Sequence, residues 1–133
     1  MGNADAAKNA YGAFSQGDLE TLREGFAEDA EWQTSDELPL GGVTRGRDAI
    51  MENFAQISNY WSSFSVEPSE FIDCGDKVVV RGTQRATGEG GSFEAPFLHL
   101  MEYRDGKLVR GEFHGDSAKA LKALGTTERS AAI

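Results

Sequence analysis

The stretch SFEAPFLHLMEYRDGKLVRGEF, residues 92–113, decides the fold, because two alternating runs of apolar and polar residues meet at Arg-Asp-Gly. Alternation with a period of two is typical of a β-strand, whose successive side chains point to opposite faces. Asp105-Gly106 is a strong signal for the tight turn of a hairpin. The stretch therefore predicts two antiparallel strands joined at this turn.

Other strands and loops can be predicted upstream of this hairpin. FSVEPSEFID (64–73) and KVVVRGTQRAT (77–87) flank Cys-Gly-Asp and predict another hairpin. Residues 30–34 alternate in polarity, which predicts a short strand. The Gly-rich residues 36–46 predict a loop.

Apolar residues at helical spacing predict four helices. They are a first helix over residues 7–14, a second over 18–26 with Asp18 as its cap, a third from 46 to 61, and a closing helix that Gly125 ends, followed by a frayed tail over 126–133.

Helices that precede most of the strands are typical of an α+β domain. We therefore predict a curved antiparallel sheet wrapped around the N-terminal helices, in a single domain over residues 1–133. A strongly bent sheet with helices across it forms a cone. The open end of such a cone is a natural apolar pocket for a small molecule.

Charge and cysteine content narrow the expected partners and location. The net charge is -9 and the 13 basic residues are scattered, whereas binding to nucleic acid or to an anionic membrane needs clustered Lys and Arg. The single Cys74 provides no disulfide framework, which fits a reducing compartment. The first residues lack the basic and apolar regions of a signal peptide. We expect a cytoplasmic protein with no nucleic-acid or membrane partner.

Three stretches carry a family resemblance: AYGAFSQGDLETLREGFAEDAEW (10–32), GRDAIMENF (46–54) and FLHLMEYRDGKLVRGEFHGDSAKALKALG (97–125). They resemble the nuclear transport factor 2-like superfamily, and in particular its SnoaL-like and ketosteroid-isomerase-like branch. The resemblance implies the cone-shaped fold. It implies no single reaction, because the superfamily includes isomerases, dehydratases, epoxide hydrolases, polyketide cyclases and non-catalytic binding modules.

Three departures from the ketosteroid isomerases argue against their mechanism. Thr34 stands where the resemblance places their general-base Asp. Leu98 stands where the Asp of their oxyanion hole is expected, and their helix-one Tyr corresponds to Ala10 rather than Tyr11. The resemblance to SnoaL-like cyclases implies instead an acid near the last strand, for which Asp116 is the nearest match.

Four ionisable residues are candidates for catalysis: His99, Glu112, His114 and Asp116. If the hairpin is centred on its turn, His99 faces Glu112, and such a pair would orient the imidazole and raise its basicity. A polar pair on a solvent-exposed or dimer face is the alternative. Asp116 precedes a helix and is predicted to be its N-cap, with a general acid at the pocket mouth as the alternative.

Six residues are candidates for ligand contact: Trp32, Thr34, Tyr11, Phe54, Tyr60 and Arg81. The first two lie on the strand that lines the pocket in the related proteins, and the next three lie on helices that would roof the cone. Core packing is the alternative for the aromatic residues. Arg81 could bind a carbonyl or carboxylate, or join an array like that of limonene-epoxide-hydrolase-like enzymes. An exposed or subunit-facing position is its alternative.

We expect neither a cofactor nor a metal. The Gly-rich residues 88–92 lie between strands and do not open a helix, so they do not predict a phosphate-binding loop. Two histidines with Glu112 or Asp116 would be sufficient in number for zinc, but they lack a signature spacing such as His-Glu-x-x-His.

Two functions remain open from the sequence. The first is a cofactor-independent lyase, isomerase, cyclase, dehydratase or epoxide hydrolase that acts by proton transfer on a small apolar substrate. The second is a non-catalytic ligand-binding or dimerisation module. In either case we expect a homodimer formed through the open face of the sheet.

Overall fold

The computed structural model describes residues 2–125, which contain five helices and six strands. The helices are α1 (Asn3–Ser15), α2 (Leu19–Glu24), α3 (Arg47–Ala55), α4 (Ile57–Tyr60) and α5 (Ser117–Leu124). The strands are β1 (Phe26–Thr34), β2 (Gly42–Arg45), β3 (Ser63–Asp73), β4 (Lys77–Gly88), β5 (Gly91–Arg104) and β6 (Lys107–His114). The predicted tail over 126–133 lies outside the described residues.

The six strands form one curved, unclosed sheet in the order β2-β1-β6-β5-β4-β3. Neighbouring strands are antiparallel except β1 and β6, which pair in parallel. The N-terminal helices pack on one face of this sheet, so the predicted α+β architecture is confirmed. We call that face the inner face and the opposite one the outer face. Within residues 2–125 no helix is long and apolar enough to cross a membrane.

Helix ends follow the sequence closely. The Asp18 carboxylate accepts a hydrogen bond from the backbone N–H of Thr21 at the start of α2. The Asp116 carboxylate accepts one from the backbone N–H of Lys119 at the start of α5. Gly125 ends α5 with a φ of 83°, in the left-handed region that glycine adopts readily. Both caps and the glycine stop are confirmed.

Three local predictions were wrong, the first two because a tertiary contact prevails over the local pattern. Phe26 begins β1 rather than ending a helix, and it packs against Trp32 with ring centroids 6.0 Å apart. The predicted loop contains β2, which pairs with β1. The predicted third helix is interrupted at Gln56, so that α3 and α4 are separate.

A β-bulge in the hairpin of β5 and β6 changes the predicted register. Near the turn Tyr103 pairs with Leu108, but the next pair joins Glu102 to Arg110, which leaves Val109 as an extra residue. One extra residue moves every later side chain to the opposite face of the sheet. Strand β6 therefore begins with Leu108 on the inner face and continues with Gly111 and Phe113 there.

The predicted pair of His99 and Glu112 was consequently wrong. His99 lies opposite Phe113, whereas Glu112 lies opposite Leu100. Along β5 every second residue from Ala95 to Tyr103 is buried, and His99 belongs to that buried set. Leu98, which lies between the buried Phe97 and His99 in the sequence, is 46% exposed on the outer face.

Candidate functional site

An apolar cavity of about 140 Å³ lies between the inner face and the helices. Helix α1, the loop before β2, helices α3 and α4, and helix α5 all contribute to its walls. Its apolar lining consists chiefly of Phe14, Phe26, Trp32, Leu38, Phe54, Trp61, Phe64, Met101 and Phe113. No Asp, Glu, Lys or Arg of the described chain lines it. The cavity therefore suits a neutral ligand with large apolar surfaces.

His99 is the polar centre of this cavity. It is 5% exposed, and its ring lies 5.2 Å from the Trp32 ring and 4.7 Å from the Phe113 ring, centroid to centroid. The Tyr11 hydroxyl is hydrogen-bonded to His99 Nδ1. Tyr11 lies on α1, so the bond joins the helical layer to the middle of the sheet.

Burial keeps both members of this pair neutral. Burial, with a smaller contribution from the nearby His114, lowers the pKa of His99 to about 3. Burial raises the pKa of Tyr11 well above its usual range, with an added contribution from Tyr103. At neutral pH the site therefore presents an uncharged imidazole and an uncharged phenol.

The other ring nitrogen of His99 is unsatisfied. Nε2 is buried and has no hydrogen-bond partner within residues 2–125, while the ring that carries it lines the cavity. Most buried polar groups in proteins are hydrogen-bonded, so an exception beside a cavity indicates a ligand contact. If Tyr11 donates its proton to Nδ1, Nε2 carries a hydrogen and becomes a donor.

Several predicted ligand contacts lie in this cavity, and two do not. Tyr11, Trp32, Thr34 and Phe54 all line it. Tyr60 lies at the end of α4, 41% exposed, and is not among the lining residues. Arg81 lies on the outer face and forms an ion pair with Glu70, with 3.3 Å between Nη1 and Oε1.

Three of the four catalytic candidates lie outside the cavity. His114 Nε2 is 3.3 Å from Glu112 Oε1, and the other Glu112 oxygen is 3.3 Å from Arg110 Nε. This cluster lies on the outer face, and the His114 side chain is 61% exposed. Asp116 holds its carboxylate against the first turn of α5. Only His99 combines burial, a hydrogen-bonded partner and access to the cavity. Within residues 2–125, no three potential metal ligands of the His, Cys, Asp or Glu type come together.

Sequence reasoning missed two polar residues of the cavity, Asn53 and Gln84. Asn53 donates a hydrogen bond from Nδ2 to the backbone oxygen of Leu40, at 2.9 Å. Gln84 could have been found, since it lies an even number of residues from the buried Val78 and Val80 on the same strand. The period of a strand places all three on one face.

The loop over residues 35–41, which sequence analysis treated only as a connection, covers one side of the cavity. Three of its residues, Leu38, Pro39 and Leu40, line the cavity. Glu37 accepts a hydrogen bond from the Ser117 hydroxyl at 3.2 Å, which ties the loop to α5. An apolar tripeptide within an otherwise polar loop was the signal for this role.

Comparison with known proteins places this architecture in a family. The sequence model of the SnoaL-like domain matches residues 7–111. A search of curated proteins found no match. An uncharacterised nuclear transport factor 2-like protein from Burkholderia pseudomallei is similar at 29% identity, with a TM-score of 0.86 over 93% of this chain and 98% of its own.

Two further solved structures are similar. TerC, co-crystallised with polyporic acid, is 31% identical, with a TM-score of 0.85 over 92% of this chain and 98% of its own. IdmH, a putative polyketide cyclase from Streptomyces antibioticus, is 27% identical, with a TM-score of 0.76 over 94% of this chain and 99% of its own. The sequence match and these structures together show that the chain belongs to the SnoaL-like domain family of the nuclear transport factor 2-like superfamily.

Proposed function

We propose that the protein binds a small, neutral, largely apolar molecule with a carbonyl group at His99, and that it acts as a cofactor-independent cyclase- or isomerase-type enzyme. The observation that carries this proposal is the buried, unpaired Nε2 of His99 in an apolar cavity. A ligand oxygen would give this nitrogen the hydrogen bond that it lacks.

The neutral state of His99 defines the chemistry that it can perform. With a pKa of about 3 it is too weak a base to take a proton from carbon, and it is not an imidazolium acid at neutral pH. As an Nε2–H donor supported by Tyr11, it would polarise a ligand carbonyl and stabilise the enolate that forms when a water molecule or hydroxide ion from solvent removes the adjacent α-proton. Enolate stabilisation serves both an aldol-type ring closure and a double-bond isomerisation.

The relatives support the same class of ligand. TerC was co-crystallised with polyporic acid and IdmH is a putative polyketide cyclase. Both descriptions concern those proteins. They agree with the aromatic, uncharged lining of the present cavity.

A second function, non-catalytic ligand binding, is favoured by one specific observation. No carboxylate lines the cavity within the described chain, and Thr34 stands where ketosteroid isomerases have their base. A site with a hydrogen-bond donor but no base would hold a carbonyl compound without transforming it.

The experiment uses an aromatic ketone with exchangeable protons beside its carbonyl, together with the hydrocarbon of the same shape. In calorimetric titrations, His99→Phe should weaken ketone binding about tenfold, the effect of one buried hydrogen bond, and leave hydrocarbon binding unchanged. His114→Phe, the same exchange on the outer face, is the matched control. Equal ketone affinity in the wild type and in His99→Phe would contradict the proposal.

The same ketone separates enzyme from binding module. Enolate stabilisation should speed the exchange of its α-protons in deuterated water, which is followed by NMR. Faster exchange with the wild type than with His99→Phe supports catalysis. Tight binding without faster exchange supports the binding module.

We also propose a homodimer formed through the outer face. Leu98 is 46% exposed at the centre of that face, and Ile72 is 39% exposed on β3. Arg85 lies between Glu67 and Glu94 on the same face and forms ion pairs with both. Exposed apolar residues bordered by ion pairs are typical of a subunit interface.

Leu98→Asp should convert a dimer to a monomer in sedimentation velocity. A monomeric wild type at micromolar concentration would rule the dimer out.

A further inference from the structure

Gln84 is a buried polar residue that the proposed carbonyl contact at His99 does not use. It is 7% exposed and lines the cavity. Among the hydrogen bonds of residues 2–125, none involves its side-chain amide. A carboxamide offers two donors and one acceptor. The amide atoms of Gln84 are not among the completely buried, unpaired atoms of residues 2–125, which are Arg47 Nε and His99 Nε2. An amide that lines a cavity and has no hydrogen-bond partner in the protein can form hydrogen bonds with a molecule bound there.

The Gln84 side chain reaches from β4 across β5. Its neighbour on β5 is Ala95, whose small side chain leaves room above it. The amide oxygen lies 3.2 Å from where a Cβ on Gly115 would stand, just beyond the end of β6. The last pair of β5 and β6 joins Leu98 to His114. Gly115 is one residue further along the chain and therefore lies beside Phe97, so the Gln84 amide next to Gly115 is also level with Phe97.

This position puts the amide about two strand residues from His99. At about 3.4 Å per residue the separation along the strand is about 7 Å, which is close to the length of one or two aromatic rings. The Phe113 ring lies close to both polar groups: its centroid is 4.7 Å from that of His99, and its Cε1 lies 2.9 Å from the same Cβ position on Gly115 that is 3.2 Å from the Gln84 amide oxygen. Phe97 stacks on Phe113 with centroids 5.4 Å apart and planes 19° apart. Phe113 lines the cavity, so a flat ring laid against it would have a polar group beyond each end.

We propose that Gln84 is a second polar anchor, which selects flat aromatic ligands that carry a hydrogen-bonding group at each end. One group binds His99 Nε2 and the other binds the Gln84 amide. This inference rests on the proposed function, because it assumes that the ligand occupies the cavity at His99. Gln84 is then a specificity-determining residue, and the ligand class narrows from apolar carbonyl compounds to two-ended ones such as quinones and diphenols.

The test compares a naphthol that has one hydroxyl with the naphthalenediol that has hydroxyls at its two opposite ends. Calorimetry with the wild type should show about tenfold tighter binding of the diol, the effect of one added buried hydrogen bond. Gln84→Met, which keeps the length of the side chain and removes its polar atoms, should abolish that preference. Gln33→Met, the same exchange on the outer face, should keep the preference.

A measurement without ligand provides a second readout. Because Gln84→Met replaces an amide that has no hydrogen-bond partner in the protein with an apolar side chain in an apolar cavity, it should raise the melting temperature of the free protein by about 2–5 °C. A lower melting temperature would show that the amide has a structural partner and would overturn the inference.

The remaining outcomes distinguish the two proposals. Equal affinity of the wild type for the naphthol and the naphthalenediol would overturn the role of Gln84 but not the proposed function. A preference for the diol that survives in Gln84→Met would do the same. If aromatic ketones bind in a His99-dependent way but neither naphthalene binds, the two-ended ligand class is wrong and the proposed function stands. If no aromatic compound binds, the proposed function falls, and this inference falls with it.

Discussion

The two histidines of this chain lie on neighbouring strands and have opposite environments. His99 is enclosed by aromatic rings and bonded to Tyr11, whereas His114 lies in solvent beside Glu112. Burial lowers the pKa of His99 to about 3, so that this histidine stays neutral over most of the pH range. The comparison shows that the face of the sheet, and not the residue type, determines what each imidazole can do.

The position of Val109 produces this difference. Without the bulge, β6 would turn Glu112 toward the cavity and Phe113 toward solvent. With it, Phe113 packs against His99 and the charged residues leave the cavity. One extra residue therefore converts a potential His-carboxylate pair into a neutral, aromatic site.

The largest effect should follow removal of the cavity wall. Trp32 packs against His99 and Phe54, each with ring centroids 5.2 Å apart. Trp32→Ala should lower the free energy of unfolding by about 3–5 kcal/mol, measured by urea denaturation. Gln33→Ala, one residue later on the outer face, should change it by no more than about 0.5 kcal/mol. Equal effects would show that the two faces are not distinct.

The two histidines should also differ in how stability depends on pH. His99 has a folded pKa of about 3 against an ordinary value of 6.5, so below about pH 6 the unfolded chain binds a proton that the folded chain does not. Stability should therefore fall as the pH falls from about 6 to 3, by up to about 1.4 kcal/mol per pH unit from this residue.

The contribution of His99 can be isolated by substitution. Carboxylates also titrate at low pH, so the informative quantity is the slope of the wild type minus that of His99→Phe, measured by urea denaturation at several pH values. His114→Ala should keep most of the wild-type slope. The same slope in His99→Phe and in the wild type would mean that His99 is not the buried neutral group described above.

A smaller change in the free energy of unfolding is expected when Gly111, which packs closely against Trp32 on the inner face, is replaced. A Cβ on Gly111 would lie 2.4 Å from the Trp32 ring, whereas a Cβ on Gly12 in α1 would meet nothing within 4 Å. Gly111→Ala should destabilise the protein by about 1–3 kcal/mol, because the Trp32 ring must shift. Gly12→Ala should instead stabilise it by about 0.5–1 kcal/mol through helix propensity. Thermal unfolding should show melting temperatures that move in opposite directions.

The smallest effect is expected in the outer-face cluster. The contacts of Glu112 with His114 and Arg110 are partly exposed and screened by solvent. His114→Ala should change the free energy of unfolding by less than about 1 kcal/mol and leave ketone affinity unchanged. A large loss of ligand binding in this variant would show that the ligand binds at the outer face and not at the inner one.

Much of the fold could be read from local pattern. The two hairpins, the caps at Asp18 and Asp116 and the stop at Gly125 all depend on residues within a few positions of one another. Strand β2 could not be predicted in this way, because its four residues form a strand only by pairing with β1. Phe26 likewise joins β1 because the core buries it, although its spacing fits a helix.

The candidate site was predicted less completely than the fold. Tyr11, Trp32, Thr34 and Phe54 were expected near a ligand because of the family resemblance, and all four line the cavity. The contact between Tyr11 and His99 joins residues 88 positions apart, and no local rule pairs them. Gln84 shares the spacing of the buried residues on β4, but the sequence analysis did not single it out.

By itself, the sequence determined the family, the order of the main elements and the acidic character of the chain, because these depend on composition, periodicity and short-range turn chemistry. Only the tertiary structure decided which face of each strand is inner. For β6 that choice depends on one bulged residue, Val109, whose position is set by the packing of β5, β6 and the helices together. It separates His99 from Glu112 and His114, and so it selects the residue on which the proposed chemistry rests.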